Sequence, residues 1–398
     1  MTKKIIVAGA GFGGVFTCLN LIKKAKKYNL KIDINLIDKN NYFLFTPLLH
    51  EVASGNLSRD LVITPIRNLF YNKDIKFFQS KIEKIDFEKQ TIHSTDFNLI
   101  YDYLVLATGA KSPHFSDNTN FTLKTLEDAE RIKYALIDKF ENLNNKPLEP
   151  NANTFTLSII GAGPTGVELA CELAEFRDTL CKYYSTINKS SIKINLISAN
   201  EKILEIFTTK TQKYTKKYLN KLEVNTIYNK YVTSNDEKYL YFTDGNKISS
   251  DFNYWTTGII PNLEYAPTII GESGKIHVNQ YLETKYKNVY GVGDIIQGYP
   301  SDAQSAVREA NIVANNIITS ILNKSDFKEF IYKPQGKLVS LGRKNAAGEI
   351  YGIQIHGRIA WFIWRTIYLV KMITCKKTAT LAVNWTINLF TDRDIAKL

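Results

Sequence analysis

A glycine-rich pattern occurs twice in the chain, and it constrains the fold more than any other feature. The segment IIVAGAGFGG (residues 5–14) returns as SIIGAGPTG (residues 158–166), with Gly9 and Gly161 152 positions apart. INLID (34–38) then returns as INLIS (194–198), and LVLATG (104–109) as YWTTG (254–258). Three matched segments in the same order predict two copies of one unit: a buried strand, a glycine turn, a helix, a second strand, and a later strand ending in Thr-Gly.

The first copy has the features of a dinucleotide-binding loop. Gly9 permits a tight turn, Gly11 lets the backbone approach a pyrophosphate, and Gly14 lets the following helix (15–27) pack on the sheet. The first amides of that helix can then hold phosphates. Asp38 closes the second strand, where a carboxylate can accept hydrogen bonds from a ribose hydroxyl. The copy therefore predicts a complete ribose and pyrophosphate site.

The second copy differs where the first has its carboxylate. The loop is kept by Gly161, Gly163 and Gly166. The residue that matches Asp38 is Ser198, so no carboxylate repels a 2′-phosphate there, and Lys202 would favour one. Alternatively, Glu201 or backbone groups select NADH. The pattern leaves both nicotinamide cofactors open.

The length of 398 residues predicts two or three domains. A third glycine cluster, VYGVGD (289–294), follows the second copy and predicts that the chain returns to complete the first domain. We therefore expect an α/β fold with two Rossmann-like domains, the second inserted into the first, and a C-terminal tail. The predicted boundaries are 1–113 with 275–325, 151–270, and 326–398.

The tail is basic and amphipathic. The chain has a net charge of +12, and residues 331–398 contribute +8 of it together with three of the four tryptophans. Arg358 and Arg365 are seven positions apart beside Trp361 and Trp364. This combination favours an anionic membrane surface over a nucleic acid, although most such stripes pack against their own protein. The apolar stretch 378–391 is too short and too polar to span a bilayer.

The cysteines exclude several classes of site. Cys18, Cys171, Cys181 and Cys375 form no CxxC pair, which argues against a zinc ribbon, a disulfide framework and a dithiol centre. We expect a reduced, cytosolic chain without a metal.

The motifs GAGFGG, LVLATG, GAGPTGVELA, YWTTG and YGVGD, in this order, resemble those of the flavoprotein reductases with two dinucleotide-binding domains. FLFTPLLHEVASG (43–55), AQSA (303–306) and GKLVSLGR (336–343) narrow the likeness to the type II, non-proton-pumping NADH:quinone oxidoreductases. The resemblance covers nearly the whole chain.

The resemblance implies that the first domain binds FAD and the inserted domain NADH or NADPH. The residues implied for FAD are Gly9, Gly11, Phe12, Gly13, Gly14, Asp38, Lys39, Thr46, Pro47, Ala107, Thr108, Gly109, Gly293, Asp294, Ala303 and Gln304. Those implied for the nicotinamide cofactor are Gly161, Gly163, Pro164, Thr165, Gly166, Glu168, Ser198 and Gly258.

The implied reaction is hydride transfer from NAD(P)H to flavin N5, followed by transfer of two electrons to a membrane quinone without proton pumping.

Three residues are implied to be catalytic: Glu168, Gln304 and Arg308. Glu168 would deliver a proton, although a carboxylate in the first turn of a helix is also favoured by the helix dipole alone. Gln304 completes an S-x-x-Q capping box with Ser301 and would also flank the quinone opening. Arg308 stands where the family usually has a second glutamine, where it would contact the quinone or pair with Glu309 or Glu168.

Three other functions are also compatible with the sequence. A sulfide:quinone oxidoreductase needs redox cysteines near the flavin, and Cys171 and Cys181 fall on the helix after the second glycine loop. A soluble NAD(P)H-dependent electron-carrier reductase would lack the membrane affinity of the tail. A flavin-binding redox sensor would lack turnover altogether. For the leading hypothesis we expect a quinone and anionic lipids as partners, a possible homodimer, no nucleic acid, and a peripheral position at the cytoplasmic face of the membrane.

Overall fold

A computed structural model of the chain describes residues 2–115, 119–145 and 154–397. Positions 1, 151 and 398, at which predicted domain boundaries fall, lie outside the described residues. The chain forms two compact units. Unit 1 comprises residues 1–44, 63–111 and 259–333, and unit 2 comprises residues 45–62, 112–258 and 334–398.

The described residues form the following strands and helices. The strands are β1 (Lys3–Ala8), β2 (Ile32–Asp38), β3 (Tyr42–Leu44), β4 (Ile63–Pro65), β5 (Lys76–Gln79), β6 (Ile82–Asp86), β7 (Thr91–Ser94), β8 (Asn98–Ile100), β9 (Tyr103–Leu106), β10 (Ala110–Lys111), β11 (Asn120–Thr122), β12 (Phe155–Ile160), β13 (Ile192–Ile197), β14 (Val224–Ile227), β15 (Val232–Asn235), β16 (Tyr239–Phe242), β17 (Lys247–Ser249), β18 (Phe252–Trp255), β19 (Ile260–Pro261), β20 (Val289–Gly291), β21 (Gly336–Ser340), β22 (Ala346–Ile350) and β23 (Ile353–His356). The α-helices are α1 (Phe12–Lys27), α2 (Leu49–Ala53), α3 (Arg59–Val62), α4 (Ile66–Leu69), α5 (Leu126–Asn144), α6 (Pro164–Tyr183), α7 (Thr209–Lys221), α8 (Ala303–Ile321), α9 (Gly357–Lys371) and α10 (Cys375–Ile387). Short 3₁₀ turns cover Thr46–Leu48, Lys189–Ser191, Pro267–Ile269 and Gly293–Ile295.

Unit 1 is built on a parallel sheet in the order β20-β9-β1-β2-β5. Residues 5–8 of β1 and all of β9 are buried and, apart from the hydroxyl of Tyr103, apolar, as a parallel sheet covered on both faces requires. Strand β20 pairs with β9, so the predicted return of the chain to the first sheet is confirmed. An antiparallel sheet of β6, β7 and β8 accompanies the parallel one.

Unit 2 repeats this plan. Its parallel sheet has the order β11-β18-β12-β13-β14, and β15, β16 and β17 form the accompanying antiparallel sheet. The strands that match in sequence occupy matching positions in the two sheets. The predicted internal repeat, and with it the α/β class with two Rossmann-like sheets, is therefore confirmed.

The two glycine turns have the same backbone geometry. Gly9 has φ +102° and Gly161 has φ +109°, a region that side chains with a Cβ rarely adopt. A Cβ on Gly14 would lie 1.8 Å from the carbonyl oxygen of Gly9, and one on Gly166 would lie 1.9 Å from that of Gly161. Only glycine therefore allows each helix to start this close to its strand.

The C-terminal region contributes the antiparallel sheet β21-β22-β23 and the helices α9 and α10 to unit 2. Trp361, Trp364 and Trp385 are at most 2% exposed, and Arg365 is 6% exposed. The expectation that these tryptophans and Arg365 face a membrane is wrong, because they form the inward faces of the two helices. Within the described parts of the chain, no helix is both long and apolar enough to span a bilayer.

Helix α8 begins one residue later than the predicted capping box requires. Its N-cap is Asp302, whose carboxylate accepts a hydrogen bond from the Ser305 amide at 2.7 Å. Ser301 lies outside the helix, and its Oγ accepts a hydrogen bond from Lys275 Nζ at 2.9 Å. The predicted capping box of Ser301 with Gln304 is wrong, because an aspartate is an equally good cap at the next position.

Candidate functional site

The glycine loop of unit 1 opens towards space at the start of α1. A Cβ added to Gly11 would meet no atom within 4 Å, and no side chain caps this helix. Its first turn also carries no acidic residue. Because the positive end of the helix dipole is uncapped and approachable, this loop suits a pyrophosphate.

Asp38 lies at the end of β2, beside this loop. Its Oδ2 accepts a hydrogen bond from the Ala10 amide at 2.6 Å, and its Oδ1 accepts one from the Asn40 amide at 2.7 Å. Burial raises the pKa of the carboxyl group, while the two amides act in the opposite direction. The carboxylate therefore fixes the loop as well as offering free lone pairs to a ribose. The neighbouring Lys39 is exposed.

The loop after β9 is closed by a second set of hydrogen bonds. Thr108 Oγ1 lies 2.7 Å from the carbonyl oxygen of Asn262 and 2.6 Å from the hydroxyl of Tyr265, while Asn262 Nδ2 donates to the carbonyl oxygen of Thr108 at 3.0 Å. Ala107 is buried, and Gly109 has φ +64°. The predicted residues Ala107, Thr108 and Gly109 thus form one rigid turn in unit 1.

Several polar atoms near Gly293 have no protein partner. Glu309 is fully buried, and its Oε2 accepts a hydrogen bond from the Gly293 amide at 2.7 Å. Among the described residues, neither Glu309 Oε1 nor the buried Ser305 Oγ has a hydrogen-bond partner. Burial raises the pKa of Glu309 to about 7. Buried polar atoms of native proteins are almost always satisfied, so this side of α8 is suited to a polar ligand.

Unit 1 offers the groups that binding of FAD requires. A large polar dinucleotide needs hydrogen-bond donors, acceptors and room. Unit 1 offers the free amides at the start of α1, the open space at Gly11, the carboxylate of Asp38 and the unpartnered polar atoms of α8. The other residues predicted for FAD in this unit are the half-buried Phe12, Asp294, Ala303 and Gln304 and the buried Gly13. The residues of unit 1 fit FAD.

Gln304 and Arg308 lie one helical turn apart on α8 and are both half-buried. Arg308 donates from Nη1 to the carbonyl oxygen of Lys333. Its Nη2 is buried without a partner among the described residues. Arg308 is therefore held by the backbone with one donor to spare.

Unit 2 contains the second loop and two residues predicted for FAD. Pro164 is the first residue of α6, no side chain caps that helix, and a Cβ on Gly163 would meet no atom within 4 Å. The loop is therefore as approachable as its counterpart in unit 1. Gly258 and Thr165 are exposed, and Thr46 and Pro47 form a half-buried 3₁₀ turn.

Ser198 is buried at the end of β13 and is hydrogen-bonded within its own turn. It is 4% exposed, donates from Oγ to the carbonyl oxygen of Lys202 at 3.0 Å, and accepts from the Asn200 amide at 3.2 Å. Glu201 and Lys202 are exposed and form an ion pair at 3.5 Å. Glu201 and Lys202, and not the buried Ser198, are therefore the residues of this turn that can contact a phosphate on the ribose.

Glu168 lies near His50 in unit 2. Oε1 of Glu168 accepts a hydrogen bond from the Ser340 amide at 3.1 Å, and Oε2 is 3.7 Å from His50 Nδ1. Burial raises the pKa of Glu168 to about 8 and lowers that of His50 to about 4. Both side chains are therefore uncharged near neutral pH, so their contact is not an ion pair.

A pair of opposite charges lies deeper in the same unit. Glu172 and Arg393 have side chains that are 1% exposed and in direct contact, and Arg393 Nη2 lies 2.5 Å from Glu175 Oε2. Ser54 Oγ donates to Glu172 Oε2 at 2.5 Å. Although burial opposes ionisation, Arg393 lowers the pKa of Glu172. This is a buried ion pair, and Ser54 and Glu175 add hydrogen bonds to it.

A second acid is held by the C-terminal helices. Glu51 Oε2 accepts hydrogen bonds from Asn56 Nδ2 at 2.6 Å and from Trp385 Nε1 at 2.9 Å, and burial raises its pKa. The guanidinium of Arg365 lies between the rings of Trp361 and Trp385, 3.7 and 4.6 Å from their centroids. Burial lowers the pKa of Arg365 to about 10.

We call these groups the buried charge cluster: His50, Glu51, Glu168, Glu172, Glu175, Arg365 and Arg393. Sequence reasoning identified only Glu168 among them as functional. The spacing i, i+4, i+7 of Glu168, Glu172 and Glu175 indicates one helix face, and three acids on the buried face of an apolar helix would have predicted this cluster. No local pattern assigns Arg393 to it, because its partners are more than 200 positions away.

Comparisons with known proteins agree with this geometry. The family profile "Pyridine nucleotide-disulphide oxidoreductase" matches residues 3–310, and the profile "NDH2 C-terminal domain" matches residues 335–394. The type II NADH:quinone oxidoreductase Ndh of Mycobacterium tuberculosis is 28% identical over 98% of the chain and 89% of the relative. The type II NADH:quinone oxidoreductase of Staphylococcus aureus is 28% identical over 92% of the chain and 94% of the relative.

Two solved structures show the same fold. The structure of NDH2 from Plasmodium falciparum in complex with NADH has a TM-score of 0.90 at 22% identity and covers 100% of both chains. The sulfide:quinone oxidoreductase from Aquifex aeolicus has a TM-score of 0.77 at 19% identity and covers 94% of this chain and 91% of that one. Because the first profile covers most of the chain and the second most of the C-terminal region, the chain belongs to the pyridine nucleotide-disulphide oxidoreductase family and, within it, to the type II NADH:quinone oxidoreductases.

Proposed function

We propose that the chain is a FAD-dependent NAD(P)H:quinone oxidoreductase that does not pump protons. The observation that best supports this is the repeated unit: an uncapped helix start behind an open glycine turn occurs once in each sheet. Two such units suit two dinucleotides. When bound, FAD supplies the redox chemistry, accepting a hydride from the nicotinamide and returning two electrons to a quinone.

The residues of unit 1 bind and orient the flavin nucleotide in this proposal. Asp38 and the Gly9 loop hold the ribose and pyrophosphate, and the turn of Thr108 and Gly109 shapes the adjoining wall. Glu309 fixes the Gly293 amide. Asp294 follows in the same turn.

The residues of unit 2 bind the nicotinamide cofactor and hold a proton. The Gly161 loop faces the pyrophosphate. Glu168 carries a proton near neutral pH because burial raises its pKa to about 8. A protonated carboxyl group can serve as a general acid when the quinone is reduced.

For the acceptor we propose Gln304 and Arg308. Their spacing presents an amide and a guanidinium on one face of α8, and Arg308 Nη2 is an unused donor that a quinone carbonyl can accept from. Gln304→Leu or Arg308→Leu is expected to slow oxidation of the reduced enzyme by quinone at least tenfold while reduction by NADH stays fast. Stopped-flow measurement of the two half-reactions tests this, and equal losses in both would show that α8 only shapes the flavin site.

A sulfide:quinone oxidoreductase is not favoured. Cys171 is fully buried and Cys181 half-buried on the same helix, and burial raises the pKa of both thiols. Ten residues along a helix separate them by about 15 Å, too far for a disulfide. Neither thiol is therefore an activated nucleophile.

We also propose peripheral attachment to the cytoplasmic face of an anionic membrane through the outward faces of α9 and α10. Those faces expose Ile359, Phe362, Val370, Val383 and Ile387, and Phe390 follows α10. Apolar side chains on an amphipathic helix bind by partial insertion between lipids, and nearby lysines add electrostatic attraction.

The homodimer also stays a prediction, and analytical ultracentrifugation in detergent would test it.

The decisive experiment is anaerobic titration of the purified protein. Its yellow colour is expected to bleach with NADH, and with NADPH to a comparable extent, and to return on addition of a quinone. Bleaching without recovery would leave a flavin-binding redox sensor or a reductase for another carrier. Bleaching by sulfide instead of NADH would contradict the proposal.

A further inference from the structure

We propose that Arg393, close to the C-terminal end, is a positioning residue for proton transfer: by neutralising Glu172 it keeps His50 uncharged and leaves the transferable proton on Glu168. This rests on the proposed function, in which Glu168 supplies a proton during quinone reduction. Reduction of a quinone to a quinol takes two electrons and two protons. NADH supplies the two electrons with one proton, as a hydride, and the second proton comes from solvent. Glu168 is the group that holds this second proton.

Two contacts link Arg393 to this site: Arg393 pairs with Glu172, and His50 lies 3.7 Å from Glu168, one helical turn before Glu172 on α6. Arg393 contacts Glu172 directly, and both side chains are 1% exposed, so water does not screen the pair. Ser54 donates to the same Glu172 oxygen, which fixes the carboxylate. Glu175 Oε2 accepts from the second guanidinium nitrogen, and burial raises the pKa of Glu175. Arg393 therefore contacts both carboxylates, and Glu172 is the one whose charge acts on His50.

His50 is the titratable group that senses this balance. Its side chain is 4% exposed, its Nδ1 is 3.7 Å from Glu168 Oε2, and its Nε2 has no partner among the described residues. Burial and the charge of Arg393 lower its pKa, while the charge of Glu172 raises it.

The other neighbours of His50 and Glu168 lie on α9, on β21 and on α2 itself. The ring of Trp364, on α9, lies 6.0 Å from the ring of His50 and bears no charge. Glu51 follows His50 on α2 and adds to the raised pKa of Glu168, whereas the Ser340 amide opposes it. Arg365 acts on Glu51 and Glu172 rather than on His50. The two charges that act on the imidazole are therefore those of Glu172 and Arg393.

Loss of Arg393 has a definite consequence for the proton. Glu172 would then lose the only counter-charge that the described residues place in contact with it, and at short range in a poorly screened interior its carboxylate would favour the imidazolium form of His50. The proton would move from Glu168 to His50, giving an ion pair in place of two neutral groups. Glu168 would then have no proton to donate at neutral pH.

Histidine NMR on the full-length holoenzyme tests this directly. The chain has five histidines, so selective labelling gives a spectrum in which His50→Asn assigns the signal of His50. In the wild type, His50 is expected to stay neutral from pH 8 down to about pH 5. In Arg393→Gln it is expected to be at least half protonated at pH 7, a shift of more than two pH units in its titration midpoint. An unchanged midpoint in folded, FAD-loaded Arg393→Gln would overturn the proposal.

A rescue variant separates charge balance from structure. Glu172→Gln combined with Arg393→Gln removes both charges, and the His50 signal is expected to return to its wild-type titration although the ion pair is gone. Arg177→Gln is the matched control, because Arg177 is also buried in unit 2 and pairs with acids, Asp178 and Glu223, outside the buried charge cluster. A double variant that still shows a protonated His50 would contradict the charge mechanism.

Quinone turnover gives the second measurement. The rate of oxidation of the reduced enzyme by quinone at pH 7 is expected to fall at least tenfold in Arg393→Gln and to recover in the double variant, while reduction by NADH is unchanged.

If Arg393→Gln does not fold, the single variant Glu172→Gln tests the same charge coupling. This change removes a charge that raises the pKa of Glu168. The midpoint of the pH profile of quinone reduction should therefore move to lower pH, and an unmoved midpoint would refute the proposal. Failure of the proposed function itself would look different, because the wild type would not reduce quinone at any pH.

Discussion

Trp385 donates a hydrogen bond from its indole nitrogen to Glu51 Oε2, 2.9 Å away in the interior of unit 2. The two residues are 334 positions apart, and both are 2% exposed. Trp385 belongs to the basic, tryptophan-rich stretch whose pattern favours a membrane surface, yet it holds a carboxylate of the core. Because Arg393 and Asp394 bind the same region, the C-terminal segment is part of the folded unit and is not a detachable anchor.

Trp385→Phe is expected to destabilise unit 2 by roughly 1–3 kcal/mol, since the ring remains but Glu51 loses a buried hydrogen bond. Chemical denaturation followed by far-UV circular dichroism measures this. Phe390→Ser is the control, because Phe390 is 86% exposed and its replacement should change stability by no more than about 0.5 kcal/mol. Equal stability of wild type and Trp385→Phe would show that the hydrogen bond contributes nothing.

Membrane binding is expected to depend on the outward residues of α9 and α10. Phe362→Ser with Phe390→Ser should reduce sedimentation with anionic vesicles at least tenfold, while FAD content and NADH oxidation by a water-soluble dye stay unchanged. Added salt should weaken the wild-type interaction without abolishing it. Undiminished binding of this double variant would assign the membrane contact to another surface.

Truncation before His356 would be expected to preserve FAD binding and dye reduction if the tail were only an anchor. The structure predicts otherwise for unit 2, because this deletion removes Trp361, Trp385 and Arg393 from its core and leaves Glu172 without its counter-charge. We expect the truncated chain to be insoluble or to lose the cooperative unfolding of unit 2. A truncated protein with wild-type unfolding would contradict the role of the tail in the core.

The sequence predicts the glycine turns, both sheets and the return of β20, because each depends on local patterns that are repeated. It predicts Asp38 at the end of β2 for the same reason. It does not predict the burial of Trp361, Trp364 and Trp385, since an amphipathic stripe is equally suited to a core and to a lipid surface. Nor does it pair Arg393 with Glu172, because such pairing depends on how distant segments meet.

Asp38→Ala is expected to weaken FAD binding by roughly 1.5–3 kcal/mol, about tenfold to more than a hundredfold, because the loop amide of Ala10 loses its acceptor together with the ribose. Flavin fluorescence after dilution measures FAD release. Asp33→Ala is a matched control on the same strand, where the carboxylate pairs with Lys76 at 3.1 Å. If both variants retain FAD equally, Asp38 does not contact the cofactor.

Discrimination between NADH and NADPH is expected to be modest in the wild type. The buried hydroxyl of Ser198 closes its own turn, so Ser198→Glu would disturb the loop as well as add charge. Lys202→Glu is the cleaner change, because it places a second carboxylate beside Glu201 and should lower kcat/KM for NADPH relative to NADH at least tenfold. Lys238→Glu, in an exposed turn of the same unit, controls for general charge. A wild type that already rejects NADPH by several thousandfold would show that another residue selects the cofactor.

The stability of unit 2 is expected to depend on pH through Glu168. Burial raises the pKa of this carboxyl group to about 8 in the folded chain, against 4.5 for an unburied glutamate. The folded state therefore keeps a proton that the unfolded state loses, so the contribution of Glu168 is complete below about pH 4.5 and disappears as the pH rises through about 8. Glu168→Gln cannot ionise, so its free energy of unfolding should increase relative to wild type between pH 5 and pH 8 and then level off. Urea unfolding of both proteins at intervals of half a pH unit measures the difference, and a constant difference across this range would mean that Glu168 is ionised in the folded protein.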